Sequence, residues 1–370
     1  MRYRLTLLKT VLMTAFSMAF AVGSVASAEE LRIVTYNIKA DTGSSDSGPG
    51  LTTVLQAIGS EHLNGNAQAI DVLALQELYS TPSTTLSYIV GQLNGIYGAG
   101  TYAYDTTTDP TTGGTGGGPS GLIYNTKTVK DVSAVAIGTA SDSGAARAPM
   151  RYTLQPLGAG SAATFYLYVS HAKSGTASDD VNRRNIEAGE LRTDAATLGA
   201  NAHVIYSGDF NLNDSSESTY KTMIASGVGQ ANDPVNSAGN WTDTTAFAGL
   251  LTETATKLQY RDDFQFVSGP MLNQNGLQLV PGTYSAFGNN GSISLDSSVN
   301  QAANTALGDL SNRTDVLSAL TTATDHLPVV ADYAVVGVPE PSTAVLAGIA
   351  ALILVAIAKG VLSCKNNLSS

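Results

Sequence analysis

The sequence predicts a mixed α/β (α+β) fold in which helices cover mixed β-sheets and one polar site lies at the rim where strand ends meet. Three observations point there. Apolar, β-rich runs alternate with helix-periodic segments along most of the 370 residues. Four of those runs terminate at Asn37, Glu77, His171 and Asp209. Two others begin just after Asp263 and after Asp325-His326. These polar groups share one edge only if the last two strands run opposite to the first four, and that requires mixed sheets.

In chain order, residues 31–38, LRIVTYNI, are apolar on both faces, as expected of a buried strand, and carry Asn37 at the end. Residues 51–60 have helical spacing, with Leu51, Val54, Leu55 and Ile58 on one side. DVLAL, 71–75, is a second buried strand and runs directly into Gln76-Glu77. Residues 84–93 predict an amphipathic helix. The segment 101–120 is of low complexity and lacks the Gly-Lys-Ser/Thr ending of a phosphate-binding loop, so it is expected as a connection. Residues 121–124 and 129–137 predict a strand pair around a turn at Asn125.

FYLYVS, 165–170, is a strand ending at His171. Residues 179–198 form the longest helical pattern, with Val181, Ile186, Leu191, Ala195 and Leu198 available for its inner side. HVIYSGDFNLN, 203–213, is an apolar run that breaks at Ser207-Gly208 and delivers Asp209 and Asn211 two residues apart. In an extended segment those two side chains share a face. A strand ending in an ordinary turn is the alternative for this stretch taken alone. Residues 216–226 are helical, 264–267 are a strand, 299–320 hold a helix or helical pair, and 327–336 are the last strand. No repeat or interior linker divides the chain, so one domain is expected over about 29–337.

Both ends resemble processing signals. Arg2, Arg4 and Lys9 precede an apolar run over 10–22, and Ala26-Ser27-Ala28 is a small-residue cleavage site, so residues 1–28 are expected to be a signal peptide. A membrane anchor is the alternative, but the run is short for spanning. Near the other end, Val338-Pro339-Glu340-Pro341-Ser342 is followed by an apolar stretch over 343–358 and then Lys359 and Lys365. That order resembles a PEP-CTERM sorting signal. The resemblance implies processing by an exosortase and the cell envelope or outer surface of a Gram-negative bacterium, with transient anchoring through 343–358. A plain membrane anchor is the other reading.

The only cysteine, Cys364, lies in this tail, so the domain has no disulfide partner and relies on its core. Three of the 19 basic residues precede residue 29, and two, with one of the 30 acids, follow residue 337. The domain between keeps 14 basic against 29 acidic residues, a formal charge of −15. Such a surface opposes tight, extended contact with nucleic acid, although a bound divalent cation would dominate the field locally. With 43% hydrophobic residues the chain can bury a sizeable core.

Asn37, Glu77, His171, Asp209, Asn211, Asp263, Asp325 and His326 make chemical sense together. Magnesium takes oxygen ligands and retains water, so one or two carboxylates with an amide suffice. Histidines supply a base and an acid for phosphate-ester hydrolysis, and a neighbouring carboxylate fixes the tautomer. TYN, LQE, SHAKSG, GDFN, RDDF and TDH, in this order, resemble the endonuclease/exonuclease/phosphatase superfamily, the DNase I-like metal-dependent group that includes nucleases, sphingomyelinases and inositol-polyphosphate phosphatases. The resemblance covers about 31–335. It implies a four-layer sandwich: two mixed β-sheets packed face to face, with flanking helices outside.

Carried over residue by residue, the resemblance implies Glu77 as the principal Mg²⁺ ligand, with Asn37 and Asp325 close to the ion or its waters. His326 would be the general base and Asp263 its orienting carboxylate, in preference to adjacent Asp262. Asp209 would align the attacking water or stabilise the leaving side, while Asn211 and His171 would hold phosphate oxygens. Arg183 and Arg184, on the helix after SHAKSG, and Lys173 are candidate substrate-phosphate contacts, with a solvated helix face as the alternative. Arg147 and Arg151 share that ambiguity, and His62 and His203 are expected to be structural. The function implied is an exported metal-dependent phosphoesterase, first a nuclease on DNA or RNA. The other readings are a phosphatase or lipid or small-molecule phosphodiesterase, and a non-catalytic surface or matrix protein. Mn²⁺ and Ca²⁺ share the oxygen-ligand preference of Mg²⁺.

Overall fold

Alternating faces dictate the layers of this molecule. A computed structural model describes residues 30–40, 48–108, 117–273 and 275–336. The expected signal peptide and sorting segment lie outside these residues, as does much of the low-complexity segment. The described residues form one compact unit.

The elements are β1 (Glu30–Asn37), α1 (Leu51–Ser60), a small hairpin of β2 (His62–Leu63) and β3 (Asn66–Ala67), β4 (Ile70–Gln76), α2 (Pro82–Tyr97), β5 (Tyr102–Tyr104), β6 (Gly121–Asn125) and β7 (Val129–Ala136). Then come β8 (Met150–Pro156), β9 (Phe165–His171), α3 (Ser178–Thr197), β10 (His203–Asp209), α4 (Ser218–Ile224) and β11 (Ala231–Asn232). The chain continues through β12 (Asp263–Ser268), α5 (Pro270–Asn273), β13 (Gly276–Leu279), β14 (Ser285–Ala286), α6 (Arg313–Ala323) and β15 (Val329–Val336).

One sheet has the order β13-β15-β1-β4-β6-β5, with β14 also on β15; the other has the order β11-β12-β10-β9-β8-β7. β1 is parallel to β4 and β10 is parallel to β9, while β15 is antiparallel to β1 and β12 is antiparallel to β10. The last two polar-ended strands therefore oppose the first four, as the polar strand ends required.

Side chains on alternate residues fill three apolar layers. Leu31, Ile33, Val72 and Ala74 of one sheet pack with Tyr152, Leu167, Val169 and Ile205 of the other. The opposite face of the first sheet, with Val34, Tyr36, Leu73 and Leu75, is covered by α1, α2 and α6. The opposite face of the second, with Tyr168, Val204, Tyr206, Phe264 and Phe266, is covered by α3, α4 and the buried Trp241. The result is the four-layer sandwich of helices, sheet, sheet and helices.

Two buried polar groups tie these layers together. Gln265 of β12 crosses the middle layer, donating to Ile33 O at 3.1 Å and Val329 O at 2.7 Å and accepting from the Tyr333 hydroxyl at 3.0 Å. Arg32 of β1 is fully buried and forms a two-pronged pair with its cross-strand neighbour Asp332, at 2.8 and 2.9 Å. Its remaining guanidinium hydrogens reach Ile58 O, Glu61 O and Asn66 O, which fastens the end of α1 and the small hairpin to the sheet.

Two expectations are corrected and one is narrowed. β6 and β7 are not a pair: both edges of β6 are taken by β4 and β5, so the chain leaves the turn at Asn125 and joins the other sheet beside β8. Helix over 299–320 is confined to α6, because the buried Asn304 side chain bonds Gly288 O, Val299 O and Ala306 N and competes with helical hydrogen bonding before it. On α3, Leu191 and Ala195 face inward, but Arg183, Arg184 and Glu187 are buried in place of Val181 and Ile186. The reason is that this half of the helix packs on polar loops. Among the described residues no helix is long and apolar enough to cross a membrane.

Removing one partner of a buried ion pair strands the other charge. Asp332→Ala is expected to cost about 3–5 kcal/mol, read as a lower urea midpoint at unchanged slope, whereas the exposed Lys257–Asp296 pair is worth under about 1 kcal/mol.

Candidate active site

Strand register assembles the site. Asp209 at the end of β10 is the Cα partner of His171 on one side and of Asp263 on the other, so three strands present these residues in one row. β1 and β4 present Asn37 and Glu77 from the other sheet, with Asn37 paired to Gln76. Gly208, at φ +136°, makes the row possible, because a Cβ there would lie 1.9 Å from Ser170 O. Beyond the strand ends the backbone turns sharply: Lys39, Glu77 and Asn211 all have positive φ, at 47°, 56° and 50°. Such conformations are costly for non-glycine residues and persist where the surroundings enforce them.

The Asn37 amide joins the two sheets at the rim. Its Nδ2 donates to Glu77 Oε1 at 3.0 Å and to Asp209 Oδ2 at 3.1 Å, while its Oδ1 accepts from the Lys39 backbone at 3.2 Å. His171 Nε2 lies 3.5 Å from Glu77 Oε1 and 3.6 Å from Asp209 Oδ2, with Nδ1 against Gly117 O at 3.0 Å. His326 Nδ1 bonds Asp263 Oδ2 at 2.8 Å, and its Nε2 lies 3.9 Å from Asp209 Oδ2 and 4.0 Å from Glu253 Oε1. Asn211 Nδ2 donates to Asp209 Oδ1 at 2.7 Å and Ala172 O at 3.1 Å.

Glu77, His171, Asp209, Asn211, Asp325 and His326 line one cleft of about 300 Å³, together with Lys39, Gly117, Arg147, Ser174 and Glu253. Asn37 and Asp263 are buried in its wall. All eight residues of the sequence-derived constellation therefore meet at one place. The three candidate substrate contacts do not join them as free cations. Arg183 is buried and donates to Gly144 O and Ser141 O. Arg184, fully buried, donates to Lys173 O, Gly175 O and Glu217. The Lys173 ammonium pairs with Asp180 at 2.9 Å. These side chains stitch the loops flanking α3, because loop carbonyls near a helix need donors and long basic side chains supply them.

Of the two ambiguous arginines, Arg147 lines the cleft and donates to His171 O at 3.0 Å, whereas Arg151 pairs with Asp194. His62 bonds Asp309 at the surface and His203 lies at the opposite end of β10; neither lines the cleft. Sequence reasoning missed Lys39 and Glu253. Lys39 had a signal in its place two residues after Asn37. Glu253 had none, since only the pairing of its backbone with His326 and Tyr260 brings it to the cleft.

Charges in the cleft are set by burial and by one another. Burial pushes the Asp209 carboxyl well above its usual range, against the pull of His326. Burial opposes charge on His326, yet the Asp263 carboxylate and then Asp209 and Glu253 prevail and hold its pKa well above 6.5. His171 goes the other way: burial, Arg147 and His326 all lower it well below 6.5. Asp325 is raised by burial, but His326 and its ion pair with Lys39 bring it below the ordinary value. Burial and a hydrogen bond to Glu253 raise Asp262.

Glu77, His171 and Asp209 each offer a ligand atom within 4.8 Å of the others. This donor set fits a divalent cation: two carboxylates, one of them buried, face one point beside a neutral imidazole, and a cation would offset the cost of charging Asp209. Asp325 is turned to Lys39 and stands outside that trio.

The sequence profile described as Endonuclease/Exonuclease/phosphatase family matches residues 34–326. This chain belongs to that family. Its members are phosphoesterase hydrolases, generally dependent on a divalent metal. Among solved structures the chain is similar to the human Nocturnin catalytic domain with bound sulfate, at 18% identity and TM-score 0.47 over 84% of this chain and 96% of that one. It is similar to an endonuclease/exonuclease/phosphatase family protein from Bacteroides thetaiotaomicron at 16% identity and TM-score 0.48, over 84% and 99%. Truncated Caenorhabditis elegans TDP2 is similar at 16% identity and TM-score 0.46, over 82% and 98%. A comparison with curated proteins found no match.

The two imidazoles are expected to titrate on opposite sides of 6.5 in the metal-free family member. The ion pair that raises His326 stabilises the fold fully below pH 6.5 and less as pH climbs through the raised value. NMR titration checks this: Asp263→Asn should lower the His326 midpoint and leave the His171 resonance neutral through pH 7.

Proposed function

We propose that this family member is an exported, Mg²⁺-dependent phosphodiesterase acting on nucleic acid. The observation that carries the catalytic part is the opposition, across one cleft, of the Asp263–His326 pair and the Glu77–Asp209 carboxylates. Glu77 and Asp209, with Asn37 bonded to both, would hold the cation. When bound, a divalent ion neutralises charge on phosphate oxygens and weakens the carboxylate field that keeps His326 protonated. His326 Nε2 then takes a proton from the attacking water, with Nδ1 anchored on Asp263. Neutral His171, whose Nδ1–H donates to Gly117 O, would offer its Nε2 lone pair to the cation, while Arg147 faces the phosphate oxygens and Asn211 fixes the Asp209 carboxylate. Asp325 keeps Lys39 at the mouth.

A second reading, a small phosphate ester as substrate, is favoured by one observation. Arg183, Arg184 and Lys173 are engaged within the chain, so they add no row of cations beside the cleft. A short phosphate-bearing ligand needs none, while an extended duplex gains most of its affinity from such contacts. Export and processing through the Pro-Glu-Pro tail complete the proposal on the sequence signals given above.

Purified protein is to be assayed with supercoiled plasmid, single-stranded DNA, RNA and bis(p-nitrophenyl) phosphate, in Mg²⁺ or EDTA. Cleavage should need the metal, and His326→Ala should lower turnover by about 10²–10⁴-fold. Glu77→Ala should abolish the Mg²⁺ dependence of both turnover and thermal midpoint. Unchanged turnover in His326→Ala would sink the assignment, and hydrolysis of the small ester without nucleic acid cleavage would select the second reading.

A further inference from the structure

Glu253 reaches the cleft from a loop that carries none of the sequence motifs. Its backbone is bridged to Tyr260 on one side and to His326 on the other. Leu327 N donates to Thr252 O at 2.8 Å and Ala255 N to Asp325 O at 2.7 Å, so the loop is clamped to the segment bearing His326. The carboxylate that results is three-quarters buried, lines the cleft, and stands with Oε1 4.0 Å from His326 Nε2. Asp209 Oδ2 stands 3.9 Å from the same nitrogen. Both separations are too long for a direct hydrogen bond, and the one to Glu253 suits a single water bonded to that carboxylate and to His326. Asp262 is buried behind Glu253, whose closeness helps raise the Asp262 carboxyl above its usual range.

We propose that Glu253 is a catalytic residue that holds the attacking water, accepting one of its hydrogens while His326 Nε2 takes the other. The proposal rests on the phosphoesterase reading above. The water oxygen forms its bond to phosphorus as one proton passes to Nε2, and the phosphorus–oxygen bond to the alcohol breaks. The departing alkoxide takes a proton from solvent, and His326 returns its own to solvent. The hydrogen held by Glu253 stays on the oxygen that ends in the phosphate product, so Glu253 gains and loses nothing. Its work is orientation: with one hydrogen held on Glu253 and the other on His326, the oxygen lone pairs are left facing away from both.

The test uses the full chain with Mg²⁺ and bis(p-nitrophenyl) phosphate, together with crystals of the wild type and of Glu253→Leu. Glu253→Gln keeps the shape but offers the water a neutral amide in place of a carboxylate. It should lower kcat about 10- to 100-fold with KM within twofold and the thermal midpoint unchanged. Glu253→Asp should recover part of the loss. An ordered water within 3.2 Å of both Glu253 Oε1 and His326 Nε2 should be present in the wild type and absent in Glu253→Leu, by the usual hydrogen-bond limit of about 3.2 Å. A kcat within twofold of wild type in Glu253→Gln, or no water at that position, overturns the proposal. A wild type inactive on every phosphate ester defeats the underlying phosphoesterase reading instead, and the crystal water then decides the Glu253 geometry by itself.

Discussion

One amide at the rim of the sandwich sets the geometry on which the site depends. Asn37 Nδ2 hydrogen-bonds a carboxylate of its own sheet, Glu77, and a carboxylate of the facing sheet, Asp209. Neither acid tolerates a slip of its strand, since a one-residue shift turns the side chain to the opposite face. The same lock is repeated deeper in the middle layer, where Gln265 of one sheet bonds two carbonyls of the other. A buried amide with every group satisfied fixes the sliding position of two sheets in a way that Val, Leu and Ile contacts do not, because apolar packing is non-directional and hydrogen bonds are not.

Around that lock the molecule concentrates charge it can scarcely support. Glu77, Asp209, Glu253, Asp262, Asp263 and Asp325 gather within or beside a single cleft, and burial works against ionising the deepest of them. His326 takes its proton in answer to this field, and Lys39 and Arg147 stand at the mouth and the wall. A fold optimised only for stability would replace such a cluster with apolar side chains. A carboxylate cluster with a neutral imidazole beside it is instead suited to receive a cation together with an anionic ester.

Outside the cleft itself, the same residue types do mechanical work. Arg32 ties α1 and the β2–β3 hairpin to the sheet, and Arg183, Arg184 and Glu187 fasten the loops beside α3. A basic residue near a catalytic motif in sequence is therefore a poor guide to a substrate contact. What separates the two uses is the distribution of backbone carbonyls around the guanidinium, which a sequence does not display.

The sequence by itself determined the polar strand ends, the opposed direction of the last two strands and the eight residues of the constellation. It could do so because a strand buried on both faces leaves an unbroken apolar run, and the first polar residue after it marks the rim. The resemblance of Arg261-Asp262-Asp263 to the family's pattern favoured Asp263 over Asp262, and the structure puts Asp263 on His326. Only the tertiary structure decided that β6 and β7 part into different sheets, that Arg183 and Arg184 turn inward, and that Glu253 faces His326. Each of these depends on which neighbour occupies an edge or supplies an unpaired carbonyl across many residues of chain. Local periodicity carries no information about such partners, so packing alone settles them.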